Sequence, residues 1–168
     1  MKRVITILFT VLICFLLQTT IFQALALADV VPNLLLIVTV AFGYMRGEKE
    51  GIFVGLFCGL LIDCVFGDII GICSLIYMVV GYLNGLCNKL YYSEHITVTV
   101  TLVALSDLIY NFFYYIIEFL FRNRLNFFFY LRRIIIPELV YTVLISILLY
   151  KLLHTINNLL EQSEQKEA

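Results

Sequence analysis

The sequence predicts an all-α integral membrane protein, a bundle of about six transmembrane helices with five as the alternative count. Of its 168 residues, 62% are hydrophobic and only 14% are charged, and the mean hydropathy is +1.02. A soluble domain of this size cannot bury so much apolar surface, so the solvent for most of the chain is a lipid bilayer. We expect residues 1–160 to form one membrane domain, followed by a short polar tail at 161–168.

The first predicted helix covers about residues 4–23 and follows Lys2 and Arg3. Basic residues ahead of the apolar run predict a cytoplasmic N-terminus. A cleaved secretory signal, with small residues at 24–28 as the cleavage site, is the alternative. We favour a retained helix because the apolar run continues through Phe22 and the chain downstream is also strongly apolar.

The second and third predicted helices are short. Pro32 is expected to open a helix over 33–44, because proline suits the first helical position. A charged turn at 45–50 separates it from a third helix at 51–66. A hydrocarbon core about 30 Å thick needs about 20 residues, so these segments thin the bilayer or lie in the protein interior. A re-entrant pair is left open.

Small residues recur at every fourth position through the third helix and beyond it. Four-residue spacing places them on nearly one helix face, and the fourth predicted helix, 70–86, has a second such face. In lipid, these faces let helix backbones approach closely and gain dispersion contacts. We expect a helix-packing or partner interface formed by Gly51, Gly55, Gly59, Asp63, Gly67, Gly71, Gly81 and Gly85.

Asp63 is an acid within this row of small residues. An unpaired carboxylate at the bilayer centre costs about 2.5–3.5 kcal/mol on insertion scales, so Asp63 is expected to face protein. Capping or bridging of helices is the favoured interpretation, and direct contact with a partner or ligand is the alternative.

The fifth predicted helix, about 96–121, carries four polar groups on one side. At about 100° per residue they fall within one narrow stripe. Such a stripe belongs in the bundle interior or at a protein interface, and structural hydrogen bonding is favoured over a ligand-lined cavity. The stripe is formed by Asp107, Asn111, Tyr114 and Glu118.

The stretch 122–136 combines arginines with an aromatic block, which suits the lipid headgroup region and predicts an interfacial segment. Pro137 and Glu138 then mark the start of a last helix to about residue 153. Six crossings from a cytoplasmic N-terminus leave the arginines of 122–136 outside and the other basic residues inside. A re-entrant pair at 32–66 would instead move the C-terminus outside.

The sequence contains no recognisable set of catalytic residues. The five cysteines lie in apolar runs, without a CxxC pair or a His/Cys cluster at metal-ligand spacing. Neither a nucleophile–base arrangement nor a phosphate-binding loop is recognisable. A net charge of −1 with scattered basic residues does not indicate nucleic-acid binding. We predict no enzymatic activity, no cofactor and no metal.

The order and spacing of these features resemble the MreD family of rod shape-determining membrane proteins, over about residues 4–155. The resemblance is carried by residues 17–20 (LQTT), 32–36 (PNLLL), 46–47 (RG), the Gly51/Gly55/Gly59 row, 59–63 (GLLID), 67–71, 81–83 (GYL) and 137–138 (PE). The Arg/Phe-rich stretch 122–136 departs from the family pattern except where it approaches Pro137.

The resemblance implies a non-enzymatic, multi-pass scaffold of the bacterial elongation complex. It implies binding to MreC, a bitopic membrane protein, and through it a connection between cytoplasmic MreB filaments, RodA and its transpeptidase. Membrane lipids and a second copy of the chain are further expected contacts. The fold that the family implies is a six-helix bundle similar to the substrate-binding subunits of energy-coupling-factor transporters.

Two other functions are weighed against this one. A substrate-binding transporter subunit needs a few convergent polar groups in an apolar cavity, and Asp63, Asp107, Asn111 and Glu118 are the candidates. An intramembrane enzyme needs two acids side by side, which Asp63 and Asp107 would provide only if the fold brought them together.

Overall fold

The computed structural model describes residues 2–24, 30–67, 70–90, 96–122 and 131–167, and the regular structure in these ranges is helical. A π-helical turn, Leu131–Ile135, leads into the last helix. The prediction of an all-α fold with six helices is confirmed. The α-helices are α1 Lys2–Ala24, α2 Leu34–Arg46, α3 Glu48–Phe66, α4 Ile72–Leu90, α5 Ile96–Arg122 and α6 Ile136–Glu167.

The short helix α2 is the centre of the bundle. All of its residues from Leu34 to Met45 are buried, and it contacts each of the other five helices. A helix that is apolar on every side requires such an enclosed position. Its 13 residues extend about 20 Å, less than the roughly 30 Å of a hydrocarbon core. Of the arrangements predicted for this segment, α2 therefore adopts the interior one.

The ends of α2 differ from the prediction. The helix begins at Leu34 and not at the proline, because Asn33 is the N-cap and its side-chain oxygen accepts from Leu36 N at 3.2 Å. Asparagine is among the best N-cap residues, and Pro32 precedes the cap. At the other end, the single residue Gly47 separates α2 from α3, with φ 95° and ψ −178°.

The helices α3 and α4 form an antiparallel hairpin and the most extensively packed pair of the described helices. Their connection lies around Gly67 and Gly71, where the sequence predicts a break. Of the other helices, α1 packs on α2 and α3, and α5 packs on α2 and α4. The last helix, α6, packs on α2 and α5.

The outer surface of the bundle is apolar, as a bilayer requires. Three of the described helices are long and apolar enough to cross a membrane: Val4–Ala24, Ile96–Ile117 and Leu131–Leu159. Many of their exposed side chains are large hydrophobic residues, for example Phe9 on α1, Phe112 on α5 and Leu148 on α6. This protein is therefore a membrane protein whose polar groups are concentrated in its interior and at its ends.

The last helix is longer than predicted. The sequence predicts an end near residue 153, whereas α6 continues to Glu167. Residues 154–167 contain neither glycine nor proline, and their glutamates, glutamines, leucines and lysine favour helix, so nothing in the chain stops it. Most of the predicted interfacial segment, 123–130, lies outside the described residues.

Candidate functional site: a polar cluster inside the bundle

The small residues of α3 and α4 bring the two backbones together within the chain. A Cβ atom added to Gly55 would lie 2.8 Å from the carbonyl carbon of Tyr77, and one added to Gly59 would lie 2.7 Å from Ser74 N. Real Cβ atoms essentially never come closer than 3.0 Å, so glycine is required at both positions. This face of α3 is occupied by α4 and is not open to a partner protein.

The same packing continues toward the other end of the hairpin. Gly51 and Gly81 face each other, and a Cβ at Gly51 would lie 2.9 Å from the carbonyl carbon of Gly81. A Cβ at Gly43 of α2 would lie 2.9 Å from the oxygen of Gly81, so three helices meet here. Gly85 faces the backbone of Glu48 at the start of α3.

Asp63 holds the turn between α3 and α4. Its carboxylate accepts hydrogen bonds from Gly71 N at 3.0 Å, Cys73 N at 3.0 Å and Ser74 N at 2.9 Å, and from the Ser74 hydroxyl at 2.6 Å. These amides are donors at the start of α4 that lack partners within the helix. Asp63 is only 2% exposed, and its acceptor capacity is used within the chain.

The two glycines beside this turn have backbone roles. Gly67 ends α3, and its N–H donates to the backbone oxygen of Asp63 at 3.1 Å. Gly71 has φ 108°, a conformation that residues with a Cβ rarely adopt. This φ presents its N–H to the Asp63 carboxylate.

The polar stripe of α5 points into the bundle. Asp107 is fully buried and Asn111 is 2% exposed, while Tyr114 is half-buried and stacks on Tyr110 with ring centroids 5.9 Å apart. The side chain of Glu118 lies outside the described part of the protein. The stripe therefore supplies one acid and one amide to the interior among the residues whose side chains are described.

Glu138 of α6 joins this stripe. The Asn111 amide donates to the backbone oxygen of Asp107 at 3.1 Å and also hydrogen-bonds the carboxyl group of Glu138. Asp107 and Glu138 are near enough to interact electrostatically. Neither oxygen of the Asp107 carboxyl has a hydrogen-bond partner among the described residues. The fold thus brings together two acids from different helices.

A second network connects the start of α2 to α4 and α6. The Tyr77 hydroxyl donates to the Asn33 side-chain oxygen at 2.6 Å, and Asn33 N donates to the Thr142 hydroxyl at 3.2 Å. Tyr77 also contacts Tyr110 edge-on, with ring centroids 5.4 Å apart. Through these rings the network borders the acids. We call the whole set the interior polar cluster: Asn33, Tyr77, Asp107, Tyr110, Asn111, Glu138 and Thr142.

A separate polar group lies where α2 ends and α3 begins. Arg46 Nε donates to the Asn157 side-chain oxygen of α6 at 2.6 Å, and Lys89 of α4 pairs with Glu48 of α3 at 2.8 Å. Asn88 also donates to the backbone oxygen of Tyr44. We call these residues the basic end, and they show that α2, α3, α4 and α6 meet at one end of the bundle.

Two other features give no support for ligand chemistry. Among the described residues there is no group of three or more His, Cys, Asp or Glu side chains able to hold a metal ion. An open groove of about 300 Å³ beside α5 is lined by six apolar residues: Leu108, Ile109, Phe112, Phe113, Leu131 and Ile135. Binding sites for small molecules also need polar groups that orient the ligand, which the lining of this groove does not supply.

Glu138 and Asn33 are site residues that were not predicted as such from the sequence. Pro137 and Glu138 were predicted to mark the start of the last helix, and Pro137 is the second residue of α6. Glu138 and Thr142 are four residues apart and so share a face, which was the available signal. Asp63 and Asp107, the acids weighed for an enzyme, have separate hydrogen-bonding environments; Asp107 interacts instead with Glu138.

Comparison with known proteins supplies one positive match. The family model described as rod shape-determining protein MreD matches residues 1–159 of the 168-residue chain. No curated protein and no solved structure matches the chain.

Proposed function

Because this chain belongs to the MreD family of rod shape-determining proteins, we propose that it is a non-enzymatic membrane scaffold of the elongation complex. In this function it binds an MreC-like bitopic protein. It thereby helps to couple cytoplasmic MreB filaments to lateral peptidoglycan synthesis by RodA and its transpeptidase. The family match over nearly the whole chain is the observation that carries this proposal.

The apolar outer surface of the bundle supports a function in which this protein binds helices of other membrane proteins. The outward side chains of the described helices are mainly apolar. The glycine faces of α3 and α4 are used within the chain. A partner helix therefore docks on the outer faces of other helices, such as α1 or α6, where dispersion contacts between helices replace contacts with lipid.

Affinity capture from native membranes in mild detergent, followed by mass spectrometry, tests this proposal. We expect the tagged protein to recover an MreC-like bitopic protein together with RodA and its transpeptidase. Recovery of paired ATPases with a coupling membrane subunit would contradict the scaffold and favour a transporter subunit.

Variants distinguish docking from folding in the same experiment. Truncation of outward side chains, such as Phe9→Ala on α1 or Leu148→Ala on α6, is expected to leave the yield of the protein unchanged. These residues are 62% and 75% exposed, respectively. If a variant lowers the amount of captured partner at constant yield, its face is the docking face. If no outward truncation on any helix changes capture, direct helix docking is wrong.

The alternative is the substrate-binding subunit of an energy-coupling-factor transporter. One observation favours it: the interior polar cluster contains a fully buried carboxyl group without a hydrogen-bond partner among the described residues. Native mass spectrometry of the protein after mild purification tests it. A retained small molecule that disappears in Asp107→Asn would support the transporter function, and an empty protein that still captures MreC would contradict it.

A further inference from the structure

Asp107 has an exceptional environment for an aspartate inside a membrane protein. It is fully buried, and both oxygens of its carboxyl group lack a hydrogen-bond partner in the described part of the chain. A buried carboxylate without compensation is so unfavourable that the group must be neutralised or paired. The question is therefore what neutralises Asp107.

Among the described residues, the groups that interact with the two acids are not cationic. Glu138 interacts with Asp107 and Asn111 on α5, with Tyr110 on the same helix, and with Tyr77 on α4. The side chains of Arg46 and Lys89 are engaged at the basic end, with Asn157 and Glu48. No basic side chain of the described residues is among the groups that act electrostatically on Asp107 or Glu138.

A metal ion does not fit the site either. The described residues hold no group of three or more side chains of the metal-binding types, so two carboxyl groups and one amide would have to suffice. Two carboxylates that face each other in a medium of low dielectric constant repel strongly, and such pairs avoid carrying two charges by sharing a proton.

We propose that Asp107 and Glu138 form a proton-binding site inside the bundle, in which one exchangeable proton neutralises the buried, unpartnered carboxyl group of Asp107 beside Glu138. This site is independent of the scaffold function and is not part of the proposal above.

The hydrogen bonds indicate which carboxyl group carries the proton. The Asn111 amide donates to Glu138, and a donated hydrogen bond stabilises the charged form of a carboxyl group. Asp107 receives no such bond. We therefore place the proton on Asp107, beside the carboxyl group of Glu138, whose charged form is the better stabilised of the two.

Proton binding makes the folded state sensitive to pH. In the unfolded chain both carboxyl groups ionise at neutral pH, so the folded protein binds one more proton than the unfolded protein. Stability then falls as the pH rises, by up to about tenfold in the folding equilibrium constant per pH unit, until the proton is lost from the folded state.

Infrared spectroscopy of the full-length protein in lipid nanodiscs tests the site directly. We expect the carbonyl stretch of one protonated carboxylic acid at neutral pH, with a shift in D₂O that shows exchange. The band should be absent from the double variant Asp107→Asn/Glu138→Gln. Absence of this band from the wild-type protein, or its persistence in the double variant, would overturn the proposal.

The control variant for the infrared measurement is Glu48→Gln, which neutralises an acid that is paired with Lys89 at the basic end. It should leave the band unchanged.

Thermal unfolding of the wild-type protein at several pH values provides a second measurement that needs no variant. We expect lower midpoints at higher pH, and a flatter profile in Asp107→Asn, because its amide donates to Glu138 without titrating. A wild-type profile that is flat, or that rises with pH above neutrality, would contradict the bound proton.

Discussion

Asp63 and Asp107 are two aspartates buried within membrane helices, and their surroundings give them different functions. Asp63 accepts four hydrogen bonds from the start of α4, so its charge is dispersed over backbone amides and one hydroxyl group. Asp107 accepts none within the described residues and faces a second acid. The same residue type is therefore a structural cap at one position and a proton-binding group at the other.

Asp63→Ala is expected to destabilise the protein by at least about 2 kcal/mol, because it removes a helix cap and leaves several donors at the start of α4 without a charged acceptor. The measurement is the midpoint of thermal unfolding in mild detergent. Ser74→Ala, which removes only one of the four hydrogen bonds, is the matched control and should lower the midpoint less. Equal midpoints for Asp63→Ala and the wild-type protein would show that the cap is unimportant.

At the scale of elements, glycine decides how α2, α3 and α4 are arranged. Gly55 and Gly59 allow backbone contact along the hairpin, and Gly47 reverses the chain between α2 and α3 without an intervening loop. These are different requirements, since the first concerns the space beside a helix and the second concerns the backbone dihedral angles. They can be separated by substitution.

Gly55→Leu is expected to prevent close packing of α3 and α4, because even a Cβ atom would lie 2.8 Å from the carbonyl carbon of Tyr77. Little folded protein should be recovered, as judged by size-exclusion chromatography in detergent. The matched control is Cys64→Leu on the exposed side of the same helix, which places the same leucine side chain on the outer surface. Normal recovery of Gly55→Leu would contradict the packing described for this pair.

Gly47→Ala tests the backbone requirement alone. No atom lies within 4 Å of the added Cβ, but φ 95° with ψ −178° belongs to a region that is essentially restricted to glycine. We expect a loss of about 1–3 kcal/mol from strain, measured as a lower unfolding midpoint. Lys49→Ala, an exposed change two residues later, should shift stability by no more than about 0.5 kcal/mol.

At the scale of the whole molecule, the basic end relates the fold to the membrane. Arg46 of α2 bonds Asn157 of α6, so the C-terminal part of α6 lies at the same end as Arg46 and Lys89. Basic residues near helix ends favour the cytoplasmic side. With the cytoplasmic N-terminus predicted from Lys2 and Arg3, we expect the basic end and the C-terminal part of α6 to lie on the cytoplasmic side as well.

A reporter fused to the C-terminus measures this orientation. We expect a fluorescent protein fused after Ala168 to be fluorescent in the cytoplasm and an alkaline phosphatase fusion to be inactive, because the C-terminal part of α6 lies with the basic end. The opposite pair of results would place the basic end outside and would contradict the positive-inside assignment. Fusions at the N-terminus complete the comparison.

The sequence by itself determined the membrane class, the presence of six helices, the small-residue faces and the family, because these depend on composition and on spacing along the chain. It did not determine that α2 is enclosed on all sides, that the glycine faces are occupied within the chain, or that Glu138 meets Asp107. Helical periodicity states which residues share a face of one helix, but it does not state which helix that face contacts. Only the packing of α2 against all five neighbours, and of α5 against α6, settles those contacts.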